Sequence, residues 1–135
     1  MAERGRLVRV LLDTYILIVA AKNGLEGLSP KVRRIMEDDE IERILSVVSI
    51  TEIAIKAKIG KLDLTSATVV QAIAEMRLAL LPYTAKHALR MFDLPLLHGD
   101  PFDRMLIATA LAENLPVLSP DRTLSEYPGL QLIKA

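Results

Sequence analysis

The run from Leu7 to Leu12 is almost continuously apolar and stops at Asp13. A strand with one face in water alternates apolar and polar residues. A short run without that alternation reads as a strand buried on both faces, as in a parallel sheet. Parallel strands need long crossover connections, usually helical, so such a run constrains what must follow it. The chain meets that demand. Arg43 to Val48, the segment LALLPY, Val117 to Ser119 and Leu130 to Ile133 read as further short strands, with segments of helical period between them. The pattern predicts an α/β fold in three layers, α/β/α: a central parallel sheet of about five strands, right-handed crossovers, and helices on both faces.

Helix signals divide the rest of the chain. Thr14 is placed to cap a helix over Tyr15 to Lys22, which Asn23-Gly24 ends. Ser29-Pro30 reads as N-cap and first helical residue of KVRRIMED. Ser49 is expected to open a helix carrying Ile50, Ile53, Ala54 and Ala57 on one face, with Gly60 as its stop. Further helices are expected over Ser66 to Arg77, over Thr84 to Phe92, and from Asp100-Pro101 to about Glu113, the last ended by Asn114 and Pro116.

At 135 residues the chain suits a single domain over 1–135 with a substantial core. Hydrophobic residues make up 51% and aromatic ones 4%, so that core is built of Leu, Ile, Val and Ala. Seventeen basic residues balance seventeen acidic ones. Any contact with nucleic acid must therefore come from a local patch, since no global positive field draws it in. The absence of cysteine rules out a disulfide scaffold, a thiol nucleophile and a thiolate zinc site, and fits the cytoplasm. Arg4, Arg6 and Arg9 ahead of VLLDTYILIVAA imitate a secretion signal, but Asp13 interrupts the apolar run. No stretch approaches the roughly 20 apolar residues of a membrane span.

The chemistry-bearing candidates are acids at the junctions between strands and helices: Asp13, Glu52, the pair Asp100 and Asp103, and Asp121. In an open parallel sheet the carboxyl ends of the strands share one edge, where ligands bind, so these acids are expected to converge. Two carboxylates roughly 5 Å apart repel by about 3 kcal/mol at an effective dielectric of about 20. A cluster of them invites a hard divalent cation. Each acid also has a structural alternative. Asp13 can cap the following helix, although Thr14 can do so instead, and Ser49-Ile50-Thr51-Glu52 matches a capping box. Asp100 before Pro101 is an N-cap, with Asp103 in the first helical turn, where the helix dipole favours anions. Asp121 can be a ligand or a turn residue. His87 and His98 lack metal-ligand spacing and read as structural, while Met36, Met76, Met91 and Met105 read as core filling. Lys56, Lys58, Lys61, Arg104 and Arg122 flank the acidic segments as candidates for RNA phosphates, or as solvated helix charge.

The segments LLDTYIL, SITEIAIKAKIGKLDL, DPFDRMLIATALAENLPVLSPD and LQLI together resemble a PIN-domain ribonuclease, and more closely a VapC-like toxin of a toxin–antitoxin pair. The resemblance covers roughly Leu7 to Ile133. It implies a PIN-like fold and a cluster of acids that binds Mg²⁺ or Mn²⁺ and cleaves RNA, leaving 5′-phosphate and 3′-hydroxyl ends. By resemblance those acids are Asp13, Glu52, Asp103 and Asp121, with the hydroxyls of Thr14 and Ser119 supporting from behind. Asp100 matches the first acid of the related DPFDR text and reads as a cap or supporting residue rather than a direct ligand. The resemblance also implies a cognate antitoxin and a homodimer. The chain departs from the pattern in having Tyr15 where His is usual, Val19 and Thr51 where Trp is frequent, and Pro120 before the last acid. Two other readings stand beside this one: a non-catalytic PIN-like interaction module whose acids are only caps, and a receiver-like phosphoryl-transfer domain. The latter prefers a second acid beside Asp13, where this chain has Thr14-Tyr15.

Overall fold

The computed structural model describes residues 7–135. Five strands form one sheet: β1 (Arg9–Leu12), β2 (Glu42–Ser46), β3 (Ala79–Leu81), β4 (Val117–Ser119) and β5 (Leu132–Lys134). Every pairing is parallel, and the spatial order is β3-β2-β1-β4-β5. The helices are α1 (Thr14–Asn23), α2 (Pro30–Glu37), α3 (Val47–Lys58), α4 (Ser66–Glu75), α5 (Ala85–Arg90) and α6 (Pro101–Glu113).

The alternation of side chains along a strand splits the core in two. Val10 and Leu12 of β1, Leu45 of β2 and Leu118 of β4 face one way, into a cluster with Ile16, Leu17, Val32, Ile53 and Val69 from α1 to α4. Leu11, Ile44 and Val117 face the other way, into a cluster with Ile107, Ala108 and Ala110 of α6. The result is the expected three-layer α/β/α fold. Since β1 is buried on both faces, its lack of alternation is explained: Val10, Leu11 and Leu12 are all fully enclosed.

The strand order reverses beside β1. From β1 the chain first builds outward through β2 and β3, then returns to add β4 and β5 on the other side. Carboxyl ends flanking such a reversal leave a crevice where ligands bind. Asp13 follows β1 and Asp121 lies two residues beyond β4, so both acids stand at this crevice.

Several boundaries differ from the sequence expectation. The first strand begins at Arg9 rather than Leu7, and Arg4 and Arg6 of the signal-like segment lie outside the described residues. The second strand ends at Ser46, two residues before Val48, and α3 starts at Val47 rather than Ser49. Ser46 is the reason. Its side chain accepts the Val48 amide at 3.1 Å, which starts the helix despite the strand preference of the two valines. Residues 91–93 turn into a short 3-10 segment instead of extending α5 to Phe92. Among the described residues no helix is long and apolar enough to cross a membrane.

A candidate acidic site at the carboxyl edge

Asp13 is the N-cap of α1. Its Oδ1 accepts the Tyr15 amide at 3.3 Å, and its Oδ2 accepts the Ser119 hydroxyl. The expectation that Thr14 would take over the capping is therefore corrected. Thr14 is already inside the first turn and buried, where its hydroxyl is 2.7 Å from that of Ser49 on α3. Capping uses one carboxylate oxygen of Asp13 and Ser119 holds the other, so a cap and a ligand role are not alternatives here. Ser119 Oγ also accepts the amide of Asp121 at 3.0 Å, so one buried hydroxyl joins the ends of β1 and β4.

The capping-box reading of Glu52 is also corrected. With Ser46 as N-cap, Glu52 lies in the second turn of α3, beyond reach of the cap amide. Instead it is buried, its Oε2 accepting from Lys56 Nζ at 2.6 Å, while its Oε1 is enclosed without any hydrogen-bond partner. Asp100 behaves as an N-cap, its Oδ1 accepting the amides of Phe102 at 2.8 Å and Asp103 at 3.1 Å. That leaves the Asp103 carboxylate in the first turn of α6, without a capping task. Asp13, Asp103 and Asp121 line one small cleft floored by Leu106, Ile107, Val117 and Leu124.

The electrostatics report the same convergence. Burial pushes the Asp13 carboxyl above the ordinary carboxylate range against the Ser119 and Tyr15 hydrogen bonds, and the charges of Glu52 and Asp121 add to the rise. Asp103 is pushed up to about 6, first by burial, then by Asp100, Asp13 and Glu52, with His98 opposing. Asp121 moves the other way. The Thr123 hydroxyl, at 2.7 Å from its Oδ1, is the main cause of its lowered pKa.

The donor chemistry fits a hard divalent cation. All candidate donors are carboxylates, one buried oxygen of Glu52 lacks a partner, and Asp103 resists ionisation where it stands. The positions do not close on a single point. Among the described residues no three His, Asp or Glu side chains stand so that they could hold an ion together. Three hydrogen bonds engage two of the acids. Asp121 is turned toward Thr123, and Glu52 is tied to Lys56. Asp13, Asp103 and Asp121 line the cleft, and ligation by Glu52 or Asp121 competes with the present bonds to Lys56 and Thr123.

The proposed phosphate contacts divide similarly. Lys56 is held by Glu52, and Arg104 donates to the carbonyls of Pro95 at 2.9 Å and His98 at 3.4 Å. Lys58, Lys61 and Arg122 are exposed. Two neighbours of the site escaped the sequence reading. Ser49, expected as an N-cap, is the buried partner of Thr14. His98, set aside as structural, clasps the Asp121 turn: its Nε2 is 2.7 Å from Thr123 Oγ1 and 3.6 Å from Asp121 Oδ2, and its ring stacks on Tyr127. No spacing rule would have found a contact between a loop before α6 and a turn after β4. His87 is structural, as expected. It is buried, accepts the Thr84 amide through Nδ1 at 3.1 Å, and pairs with Glu113 at 2.6 Å.

Comparison with known proteins gives a consistent picture. The family model described as PIN domain matches residues 10–130. No curated protein sequence matches. Among solved structures, VapBC2 from Rickettsia felis, bound to a DNA fragment from its promoter, superposes with a TM-score of 0.72 at 16% identity, over 93% of this chain and 98% of that one. DNA-bound VapBC from Salmonella typhimurium gives 0.66 at 19% identity, over 95% and 98%. FitAcB from Neisseria gonorrhoeae gives 0.59 at 17% identity, over 93% and 96%. At these identities the structural matches speak to the fold.

Proposed function

The chain belongs to the PIN domain family, and from that premise we propose that it is a divalent-metal-dependent endoribonuclease acting as the toxin of a cytoplasmic toxin–antitoxin pair. The observation that carries the reading is that Asp13, Asp103 and Asp121 line one cleft at the carboxyl edge, with a buried Glu52 oxygen that has no hydrogen-bond partner among the described residues. The Glu52 charge is met by Lys56 through the other oxygen, and the free buried oxygen is the kind of group that a ligand compensates. Asp13 and Asp103 would hold Mg²⁺ or Mn²⁺, with Glu52 and Asp121 completing the set. When bound, such a cation supplies Lewis acidity to the phosphodiester and to an attacking water.

The chain's own residues do the rest. Ser119 fixes Asp13 Oδ2 through its hydroxyl, and Asp13 Oδ1 remains with the Tyr15 amide. Asp100 fixes the start of α6 and so the placement of Asp103. Thr14 and Ser49 lock α1 against α3 beneath the acids. The exposed Lys58, Lys61 and Arg122 are candidates for RNA phosphates.

The toxin reading is supported by neighbours that are themselves VapBC complexes. An antitoxin and a second copy of the chain both need apolar surface to cover, and Leu89, Phe92 and Leu96 are 64%, 87% and 82% exposed. The test is cleavage of total RNA by purified, antitoxin-free protein with Mg²⁺ or Mn²⁺. Cleavage leaving 5′-phosphate and 3′-hydroxyl ends is expected, and either Asp13→Asn or Asp103→Asn should lower it at least a hundredfold while circular dichroism stays unchanged. Wild-type protein that leaves RNA intact under every metal condition would instead favour the interaction-module reading.

A further inference from the structure

We propose that the groove beside Asp13 lined by Tyr15, Val19, Asn23 and Pro120 is a nucleobase subsite, in which Tyr15 stacks on a base of single-stranded RNA next to the cleaved phosphodiester. The inference rests on the ribonuclease reading and adds to it a residue that selects the form of the substrate.

Exposure is the first observation. Helix α1 buries Ile16, Leu17 and Ala20, yet Tyr15 is 54% exposed, whereas Tyr127 in the core is 1% exposed. The chain has only three tyrosines, two phenylalanines and no tryptophan, so a half-exposed ring beside a candidate site is not part of a general surplus. Continuity is the second. The Tyr15 amide donates to Asp13 Oδ1 at 3.3 Å, and Pro120 stands between Ser119, which holds Asp13, and Asp121. Two walls of the groove are therefore one or two residues from proposed ligands, on either side of the strand reversal.

The groove also has the size and chemistry of a base site. Its volume is about 340 Å³, within the range of roughly 300–1,000 Å³ typical of small-molecule sites. Tyr15, Val19 and Pro120 supply apolar surface for the face of a base, and the exposed Asn23 amide offers a donor and an acceptor for its edge. Gly27 keeps the far wall thin. A Cβ there would lie 2.7 Å from Asn23 Cβ and 3.2 Å from Val19 Cγ1. A splayed base of a single strand matches this combination of stacking surface and amide.

The subsite is tested with two substrates and three proteins. Wild type, Tyr15→Ala and Tyr15→Phe are compared on a single-stranded RNA and on a base-free phosphodiester, the same RNA with abasic ribose units on both sides of the cut, both with Mn²⁺. Tyr15→Ala should lower kcat/KM on RNA about tenfold, mainly through KM, and leave the base-free ester unchanged, while Tyr15→Phe behaves as wild type. In a second measurement, RNA carrying 2-aminopurine beside the cut is bound in EDTA, and its fluorescence should be quenched by wild type and Tyr15→Phe but not by Tyr15→Ala. Equal RNA kinetics and equal quenching in Tyr15→Ala overturn the subsite, which is also the result expected if the groove serves a protein segment. A loss in Tyr15→Phe as large as in Tyr15→Ala overturns stacking. If wild type cleaves neither substrate, the ribonuclease reading has failed, a result distinct from both.

Discussion

Asp103 illustrates how a carboxylate can oppose folding and still be retained. Burial and three neighbouring acids push its pKa up to about 6, above the value of 3.8 that it has in the unfolded chain. Below about pH 3.8 it is protonated in both states and costs nothing. Between 3.8 and 6 the native state holds a proton that the unfolded chain has released, so stability falls as pH rises through that window. Above 6 the full penalty remains. Asp103→Asn is therefore expected to be more stable than wild type at pH 7 without metal, by about 1 kcal/mol once solvent screening of a partly exposed group is allowed for. The gain should vanish below pH 4. Urea denaturation of both proteins at the two pH values checks this, and a variant no more stable at pH 7 would contradict the electrostatic account. The lowered pKa values of Asp121 and Glu113 act in the opposite sense, contributing stability that is lost as pH falls below about 4, but they are common to both proteins and cancel in the difference.

At the level of elements, the start of α3 decides what Glu52 is. Had the helix begun after Ser49, Glu52 would have sat three residues past the cap, in a capping box. Because Ser46 caps it, Ser49 is free to bond Thr14 and Glu52 turns inward. Ser46→Ala should cost about 1 kcal/mol by removing the cap of a helix that carries a site residue. Thr51→Ala removes only an exposed hydroxyl bonded to the Val47 carbonyl at 3.3 Å, and should change stability by less than about 0.5 kcal/mol. Chemical denaturation compares the two, and a Ser46→Ala cost no larger than that of Thr51→Ala would remove Ser46 as the cap. Other boundaries were legible because their signals are local. Asn23-Gly24, Ser29-Pro30 and Asp100-Pro101 each punctuate the backbone through their own conformational limits, and each stands where expected.

For the whole molecule, the acids come from four separate elements, so any cation they share binds the folded chain and hardly binds the unfolded one. Mn²⁺ at a hundred times its dissociation constant should stabilise the protein by about 2.7 kcal/mol. At about 4 °C per kcal/mol, melting should rise by roughly 10 °C. Asp13→Asn should remove most of that rise. Calorimetry with Mn²⁺ and with EDTA measures it, and a melting temperature indifferent to the metal in wild type would remove the main support for a shared site.

The sequence by itself determined the architecture. The apolar runs of the central strands β1 and β4 are satisfied by burial on both faces, whereas β3 at the sheet edge stays largely exposed, and the helical segments between the runs supply the crossovers that parallel strands need. It also supplied the acids and their order along the chain. Only the tertiary structure decided which of them meet and in what state. Asp13 acts as a cap and faces the cleft at once, because its two oxygens have different partners. Glu52 is buried beside Lys56 with one oxygen unpaired among the described residues, Asp121 lines the cleft but is engaged by Thr123 and His98, and Asp103 is hard to ionise. These properties depend on burial and on contacts between residues distant in sequence, such as Asp13 with Ser119 or His98 with Thr123. Local propensity carries no information about such distances, whereas the stacking of parallel strands sets them.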